Sequence, residues 1–205
     1  MFKTPNRSAA KLHHMDKSLM TRATEHVVAI ARTVTPDQFD LPTPCPEWTV
    51  RDLVNHLTLW SGVVAERVTR RLPPPEDGSE DQAADRSDQW PALFVDTATR
   101  AARGWDEPDA LDGELVMMGD PRPARYFHDM LLGELVLHGW DLAKATGQDL
   151  PVDEDVAVRV RDASAGYAEQ AREYKVFGPE VQVGSDVSAF DQALAVSGRD
   201  PGWRP

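Results

Sequence analysis

The chain has 205 residues, of which 41% are hydrophobic and 27% charged, and its formal net charge is −12. This composition excludes a disordered chain and fits a globular domain large enough to bury a full core. Because an acidic surface repels phosphates and a single cysteine cannot form an internal disulfide or a Cys-rich zinc site, we predict neither a nucleic-acid partner nor a disulfide framework.

Residues 1–15 are predicted to form a flexible N-terminal arm, followed by a single domain over residues 16–205. The arm is polar and lacks the apolar region of a secretory signal. The sequence contains no apolar run of 18 residues, which predicts that no segment spans a membrane. We therefore expect a cytoplasmic protein without a membrane partner, and a homodimer is compatible with a bundle of this size.

A first helix is expected from Asp16, because apolar residues recur at steps of three and four and therefore share one face. Pro36 is expected to end it, since proline disrupts the helical hydrogen bonds. Four prolines within residues 36–48 then predict an extended connector. The apolar face of the helix comprises Leu19, Ala23, Val27, Ile30 and Val34.

A second helix is predicted to begin at Thr49, where the pair Thr49 and Asp52 is typical of a capping box. The acidic, proline-rich stretch from Leu72 to Gln89 is predicted to be a mobile, solvated loop. Between the cap and the loop, an apolar stripe is formed by Val50, Leu53, Leu57, Trp60, Val64 and Val68.

The remaining pattern is also helical. A third helix of about four turns is expected from Trp90, and residues 104–122 read as a connector with a short extended piece. A fourth helix over residues 124–145 precedes Gly147, a natural glycine for a helix C-terminus. A fifth pattern covers residues 153–172, and a short amphipathic stretch follows near Phe190 and Leu194. We predict an all-α fold, a four-helix bundle with additional C-terminal helices and a tail that cap it or cover one opening.

The fourth helix carries the first candidate site. Glu134 and His138 are four positions apart, so both side chains point to nearly the same side and can reach one metal ion. Asp141 returns to that face one turn later. The alternative is a surface Glu–His pair, but the surrounding apolar residues predict an inward face. Buried carboxylates there need partners, and a metal ion or a ring of Arg or Ser side chains would supply them.

His56 is the candidate third ligand. It shares the inward stripe of the second helix with Leu53 and Trp60. A lone histidine on an apolar face is more often a hydrogen-bonded core residue. Together with Glu134 and His138, however, it completes a three-ligand set suited to Zn²⁺, with a fourth position open for water or substrate. The same donors can hold Ni²⁺, Fe²⁺ or Co²⁺.

Neighbouring polar residues are candidates for a supporting role. Asp52 lies one turn before His56, where it serves either as the helix cap or as a hydrogen-bonding partner that orients the histidine. Asp141 is a candidate to orient a ligand in the same way. Cys45 lies among prolines, and no cation or helix N-terminus in the sequence requires it to be reactive, so a structural role is favoured.

The other histidines fit the site less well. His128 lies six residues before Glu134, about 120° around the helix, and is expected to face elsewhere. His26 borders the apolar face of the first helix, where it is either a core residue or part of a cavity wall. His13 and His14 fall in the predicted arm.

Three stretches together resemble one known family. They are TPCPEWTVRDLVNHLTLW, GELVLHGWDLAKATGQDL, and the tail from FGPEV through LAVSGRDPGW. Over roughly residues 16–203, the chain is similar to the mycothiol-dependent maleylpyruvate isomerase N-terminal-domain-like family of metal-binding proteins, within the DinB-like or YfiT-like superfamily. The resemblance implies a DinB-like four-helix bundle. It also implies a metal held by His56, Glu134 and His138.

The resemblance further implies a class of activity. Similar proteins use a low-molecular-weight thiol, such as mycothiol or bacillithiol, with a zinc-type ion that favours the thiolate. We therefore expect a thiol-dependent S-transferase or isomerase acting on a small electrophile. The chain differs from the isomerase in that we expect no long separate C-terminal domain, which puts isomerase activity in doubt. Arg199 is a candidate contact for an anionic substrate or thiol, or else part of a salt bridge in the tail.

Two other functions stay open at this point. A metal-dependent hydrolase would need a general base besides Glu134, and Asp52, Asp141 or His26 are the candidates. A non-catalytic metal-binding or stress-response protein would hold a structural metal with a closed fourth position.

Overall fold

The computed structural model describes residues 17–73, 75, 89–117, 119 and 121–205, and within them the chain is mainly helical. The all-α prediction is confirmed, with one small sheet. The helices are α1 (Leu19–Ala31), α2 (Val50–His56), a π-helical segment (Leu57–Val64), α3 (Ala65–Thr69), α4 (Trp90–Trp105), α5 (Ala124–Ala145), α6 (Glu154–Glu173) and α7 (Ala189–Val196). The strands are β1 (Glu114–Val116) and β2 (Pro121–Pro123).

The first helix is shorter than the sequence predicted. The hydroxyl of Ser18 accepts a hydrogen bond from the backbone N–H of Thr21 at 3.1 Å, so this N-cap, rather than Asp16, marks the start. The helix ends at Ala31, five residues before Pro36. The proline instead begins a short 3₁₀ turn, because proline at a first helical position loses no hydrogen bond.

The second helix begins as predicted, and then changes type. Thr49 and Asp52 form the expected capping box, with Asp52 accepting from the Thr49 backbone N–H at 2.8 Å. After His56 the backbone widens into the π-helical segment, and α3 then completes the same continuous helix. Periodicity alone predicted a regular α-helix here, since a π-helical turn leaves no separate signal in an apolar stripe. Local widening of this kind is frequent beside functional sites.

Four helical elements form the bundle that the sequence predicted. Helices α1, α4 and α5 and the composite second helix pack around one core, with α1 and the π-helical segment each contacting both α4 and α5. Gly139 allows α1 to approach α5, because a Cβ at that position would lie 2.5 Å from Val27 Cγ2. A close contact of α1 with α5 therefore lies next to His138 in the chain.

The connector before α5 contains the predicted extended piece. Strands β1 and β2 pair in antiparallel fashion, with Leu115 opposite Arg122. Their hairpin leads directly into α5, whose bounds agree with the prediction. Gly147 follows the end of α5 with φ of +71°, the left-handed conformation that favours glycine.

The C-terminal elements pack onto the four-helix bundle and add buried residues to its core. Helix α6 packs along α5, and α7 packs on α6. The tail after α7 turns at Gly198, where φ is +86° and an added Cβ would lie 2.6 Å from Gly178 Cα. Two glycine backbones therefore meet closely, and this contact directs Arg199 inward.

Some predictions fall where the structure gives no description. The predicted arm, residues 1–15, and nearly all of the predicted loop from Leu72 to Gln89 lie outside the described residues. The domain bounds of 16–205 stay a prediction. Within the described part of the chain, no helix is both long enough and apolar enough to cross a bilayer.

Candidate metal centre

The three predicted ligands lie together. His56 is the last residue of α2, and Glu134 and His138 lie one turn apart on α5. One ligand atom from each of the three falls within 4.8 Å of the others. The i,i+4 spacing on α5 aligns two donors, and the packing of the second helix against α5 supplies the third.

Glu134 is the centre of this group. Its Oε1 contacts His56 Nε2 at hydrogen-bonding distance and lies 3.3 Å from His138 Nε2. The side chains are mostly shielded, with 15% of His56, 24% of Glu134 and 12% of His138 exposed. The two imidazole rings meet edge to face with centroids 4.7 Å apart. Two imidazole nitrogens therefore converge on one carboxylate oxygen.

A second carboxylate orients His138 from behind. Asp141 is fully buried, and its Oδ2 lies 3.0 Å from His138 Nδ1. A carboxylate only accepts hydrogen bonds, so the Nδ1 proton faces Asp141. In the neutral imidazole, Nε2 then carries the free lone pair toward Glu134 and His56. This is the arrangement that commonly orients a metal-binding histidine.

Asp141 is in turn held by Arg199 from the tail. Arg199 Nε donates to Oδ1 at 2.9 Å and Nη2 donates to Oδ2 at 2.7 Å, a bidentate pair. Arg199 Nη1 donates to the Ser197 hydroxyl at 3.0 Å. The guanidinium is only 8% exposed and is largely neutralised by Asp141. The salt-bridge alternative for Arg199 is thus what the structure shows, although its partner lies on α5 rather than in the tail.

The charges of the cluster shift its pKa values in a consistent way. Burial would raise the pKa of Glu134, but the charge of His138 and hydrogen bonds from both histidines outweigh it and hold that pKa well below 4.5. Burial would lower the pKa of His138, but Glu134 and the bond to Asp141 outweigh it and hold that pKa well above 6.5. Burial is likewise outweighed at Asp141, whose pKa is lowered by Arg199. Without a cation between them, Glu134 and His138 therefore form an ion pair.

Two residues near the site were not predicted to belong to it. Cys45 Sγ donates to Asp141 Oδ2 at 3.0 Å and lies 3.7 Å from His138 Nδ1. Burial, followed by the charge of Asp141, raises the pKa of the Cys45 thiol, so it stays protonated. The Trp48 ring stacks on His138 at 5.6 Å and lies 4.8 Å from the His56 ring. The connector before α2 therefore closes one side of the site.

The site opens into a cavity of about 600 Å³. His56, Glu134, His138 and Arg199 lie in its wall, together with residues from the π-helical segment, the β-hairpin, α5, α6 and the segment after α6. The volume is in the range of small-molecule sites. The C-terminal elements thus form one wall of the opening, as the sequence predicted.

The other predicted residues lie elsewhere. Asp52 is committed to the helix cap, accepting from the Thr49 backbone and hydroxyl. His26 lines a separate small cleft beside Leu150. His128 faces away from the cavity, as expected, and meets the Trp105 ring edge to face. His13 and His14 lie outside the described residues.

The site residues that were not predicted from the sequence have one feature in common. Cys45 and Trp48 reach the site from a proline-rich connector, and Tyr167 of α6 lines the cavity. The positions of all three depend on tertiary packing. The stretch from Cys45 to Trp48 was part of the first motif of the resemblance, and this was the one signal that could have placed it at the site. Tyr167 gave none.

Comparisons with known proteins identify relatives of the chain and its family. Two curated relatives are 29% identical to the chain over 180 residues, covering 87% of this chain and 94% of their own. They are the uncharacterized proteins MT0763 and Rv0738 of two Mycobacterium tuberculosis strains, CDC 1551 / Oshkosh and H37Rv. No solved structure matches the chain significantly. The sequence model described as "Mycothiol maleylpyruvate isomerase N-terminal domain" matches residues 20–143, which include His56, Glu134, His138 and Asp141. The chain belongs to the mycothiol maleylpyruvate isomerase N-terminal domain family.

Proposed function

We propose that the protein binds one divalent metal ion through His56, Glu134 and His138 and uses it in a thiol-dependent reaction on a small electrophile. The observation that carries the proposal is the convergence of these three donors on the wall of an open cavity. Membership of a family described by mycothiol supports the thiol. Zn²⁺ is the favoured ion, with Ni²⁺ or Fe²⁺ as alternatives.

The donor set fits such an ion in chemistry and in charge. Two imidazoles and one carboxylate are typical of zinc sites that keep a fourth position open. The hydrogen bond from His138 Nδ1 to Asp141 orients Nε2 toward the other two donors. The carboxylates of Glu134 and Asp141 and the guanidinium of Arg199 together leave one negative charge, which a dication would compensate.

When bound, a divalent metal would lower the pKa of a thiol at its open position, so that the thiolate forms at neutral pH. The residues of the chain supply the rest of the site. Trp48 shields one side of the two histidines, and Asp141 accepts a hydrogen bond from His138 Nδ1–H and so holds the ring in one tautomer. The cavity admits the electrophile from the other side.

The proposed reaction needs no reagent besides the thiol and the electrophile. The thiolate sulfur donates its electron pair to an electrophilic carbon and forms a C–S bond. If the carbon carries a leaving group, that group departs with its electron pair, and the result is S-transfer. If the carbon belongs to a double bond conjugated to a carbonyl, the π bond breaks and its electron pair moves onto the carbonyl oxygen as an enolate, which leaves a C–C single bond that can rotate. Return of this pair re-forms the double bond. Expulsion of the thiolate then completes an isomerisation.

The metal is tested first. Protein purified without a His tag should contain about one equivalent of divalent metal by elemental analysis, as a three-ligand site predicts. His138→Ala should lose it, whereas His26→Ala, which removes a histidine from a separate cleft, should retain it. Absence of metal from wild-type protein after incubation with Zn²⁺ or Ni²⁺ would contradict the proposal.

The thiol is tested second, on metal-loaded protein. Consumption of an electrophile should require mycothiol and should disappear in His138→Ala. Consumption that persists without any thiol would favour a metal-dependent hydrolase instead. A metal-loaded protein that accelerates no thiol reaction with halogenated, epoxide or conjugated carbonyl electrophiles would indicate a non-catalytic metal-binding protein.

A further inference from the structure

The cavity wall beyond the three donors is largely apolar. Most of its buried apolar members come from α5, α6 and the segment after α6, and each of these is at most 9% exposed. Because these side chains carry no hydrogen-bonding groups, a charged group placed against them would lose its hydration without compensation. They are Phe127, Leu131, Leu137, Ala171 and Phe177.

The mouth of the cavity is apolar as well. Tyr174 and Val176 line it and are 70% and 66% exposed. Among the described residues these are the two most exposed large hydrophobic side chains. Two such side chains at the rim of an apolar concavity mark a place where an apolar ligand covers them.

The cationic groups at the cavity limit how much negative charge it can accept. Each of the three guanidinium nitrogens of Arg199 donates a hydrogen bond to Asp141 or Ser197, so the side chain offers little charge to a ligand. Arg122 is exposed, and its guanidinium carbon lies 5.6 Å from the centre of the Tyr126 ring. Of the described arginines that line the cavity, Arg122 forms no ion pair. In the proposed site, Glu134 and a bound thiolate would offset the two charges of the metal, so the cavity offers one cation of the chain, Arg122 at its β2 edge, to an acidic group of the ligand.

We infer that the electrophile is an apolar, aromatic-sized molecule bearing at most one acidic group, and that small dicarboxylates are poor ligands. This inference rests on the proposed function and names its substrate class. The ring lies against Leu131 and Phe177, and the acidic group faces Arg122. The apolar rim of Tyr174 and Val176 covers the outer part of the ligand.

Binding of unreactive ligands tests this without any thiol. Isothermal titration calorimetry on Zn²⁺-loaded protein would compare trans-cinnamate, cinnamyl alcohol and fumarate. Cinnamate should bind at least about tenfold more tightly than fumarate, because only the former buries a ring while needing one cation. Fumarate binding as tightly as cinnamate, or no detectable cinnamate binding, would overturn the inference.

Variants at the rim locate the binding. Val176→Asp should weaken cinnamate about tenfold by placing a charge against the apolar ligand. Val183→Asp, at a residue that is 38% exposed and outside the cavity lining, is the matched control and should leave binding unchanged. Arg122→Gln should weaken cinnamate several-fold but leave cinnamyl alcohol unchanged. Equal effects of the two Asp substitutions would place the ligand elsewhere and overturn the inference.

The result separates this inference from the proposed function. If cinnamate binds at the rim but no thiol reaction is found, the substrate class stands as a ligand class and the proposed activity fails. If the protein turns over a dicarboxylate electrophile with thiol but does not bind cinnamate, the activity stands and the inference fails.

Discussion

Two buried arginines hold C-terminal parts of the chain against the bundle, and they differ in what lies beyond their ion pair. Arg22 on α1 is 2% exposed and pairs with Asp153 at 2.8 Å and with Asp155. Arg199 is 8% exposed and pairs with Asp141. The side chains of the first two acids are 31% and 52% exposed, whereas that of Asp141 is fully buried.

The difference shows that an ion pair of a buried arginine can hold two elements together or can also position a side chain of the proposed site. The carboxylates that pair with Arg22 are partly exposed to solvent, and the pairs hold the start of α6 against α1. The carboxylate of Asp141 continues to His138, so its pair with Arg199 also fixes the orientation of a proposed metal ligand. An ion pair of a buried arginine therefore bears on the proposed site only where its acid also contacts a candidate ligand, as Asp141 does.

The largest expected effect is a loss of folding stability when each of the two arginines is replaced separately. Arg199→Ala removes the bidentate partner of buried Asp141 and leaves it only the contacts with His138 and Cys45, which should cost about 3–5 kcal/mol of the free energy of unfolding. Arg22→Ala leaves acids that water can reach, and should cost about 1–2 kcal/mol. Urea unfolding of the metal-free variants measures both. If Arg199→Ala does not fold, the double variant Asp141→Asn/Arg199→Met should restore folding; equal losses for the two single variants would refute the contrast.

The next effect concerns the turn that positions Arg199. Gly198→Ala should cost about 3 kcal/mol, because the left-handed backbone is strained for alanine and the new Cβ would meet Gly178 at 2.6 Å. Gly147→Ala has a similar positive φ but open space around it, and should cost about 1 kcal/mol. Unfolding and metal titration are both informative, since only Gly198→Ala should also weaken metal binding.

A smaller effect isolates the orientation of His138. Asp141→Asn should lower metal affinity about 10- to 100-fold, since the group behind a metal-binding histidine is neutralised. Asp153→Asn removes one charge from the Arg22 pair in the same way and should leave metal affinity unchanged. Competition with a chromophoric chelator measures both, and circular dichroism checks the fold. A similar loss in both variants would show a general electrostatic effect.

The smallest expected effect is a dependence on pH. As pH rises above about 6.5, the stability of the metal-free protein should fall, whereas its affinity for metal should rise. The raised pKa of His138 contributes stability to the metal-free protein that is complete below about 6.5 and is lost as pH rises through the folded pKa. The lowered pKa of Glu134 contributes stability that is complete above about 4.5 and is lost as pH falls through the folded pKa.

Metal binding must displace the proton from His138, so affinity should rise about tenfold per pH unit until the raised pKa is passed. Unfolding and metal titration at a series of pH values between 4 and 9, on the order of one unit apart, would measure both trends. His138→Gln should remove the stability change above pH 6.5. A metal affinity that does not change with pH would contradict the assignment of His138 as a ligand.

Much of the fold was predictable because its signals are local. The Thr49–Asp52 capping box, the glycine after α5 and the bounds of α5 follow from residues a few positions apart. The same holds for Glu134 and His138, since their spacing alone places them on one side of a helix. His56 needed an assumption about how two helices pack, which the structure agrees with.

The rest depends on contacts between distant segments. Asp141 and Arg199 are 58 positions apart, and their pairing follows from the close meeting of Gly178 and Gly198. Cys45 reaches Asp141 through a connector whose prolines predicted only that it is extended. No pattern within a single element encodes such contacts, so sequence reasoning could propose partners for Asp141 but could not choose among them.

The π-helical segment Leu57–Val64 has an evolutionary consequence. Its wider turn shifts the angular phase of the second helix between His56 and α3, so the two ends face their neighbours independently. His56 faces the cavity, while Gly62 packs against Thr97 of α4 so closely that a Cβ would lie 2.5 Å from its hydroxyl. A single-residue insertion that widened a helix in this way would let the functional end and the packing end change sequence under separate selection.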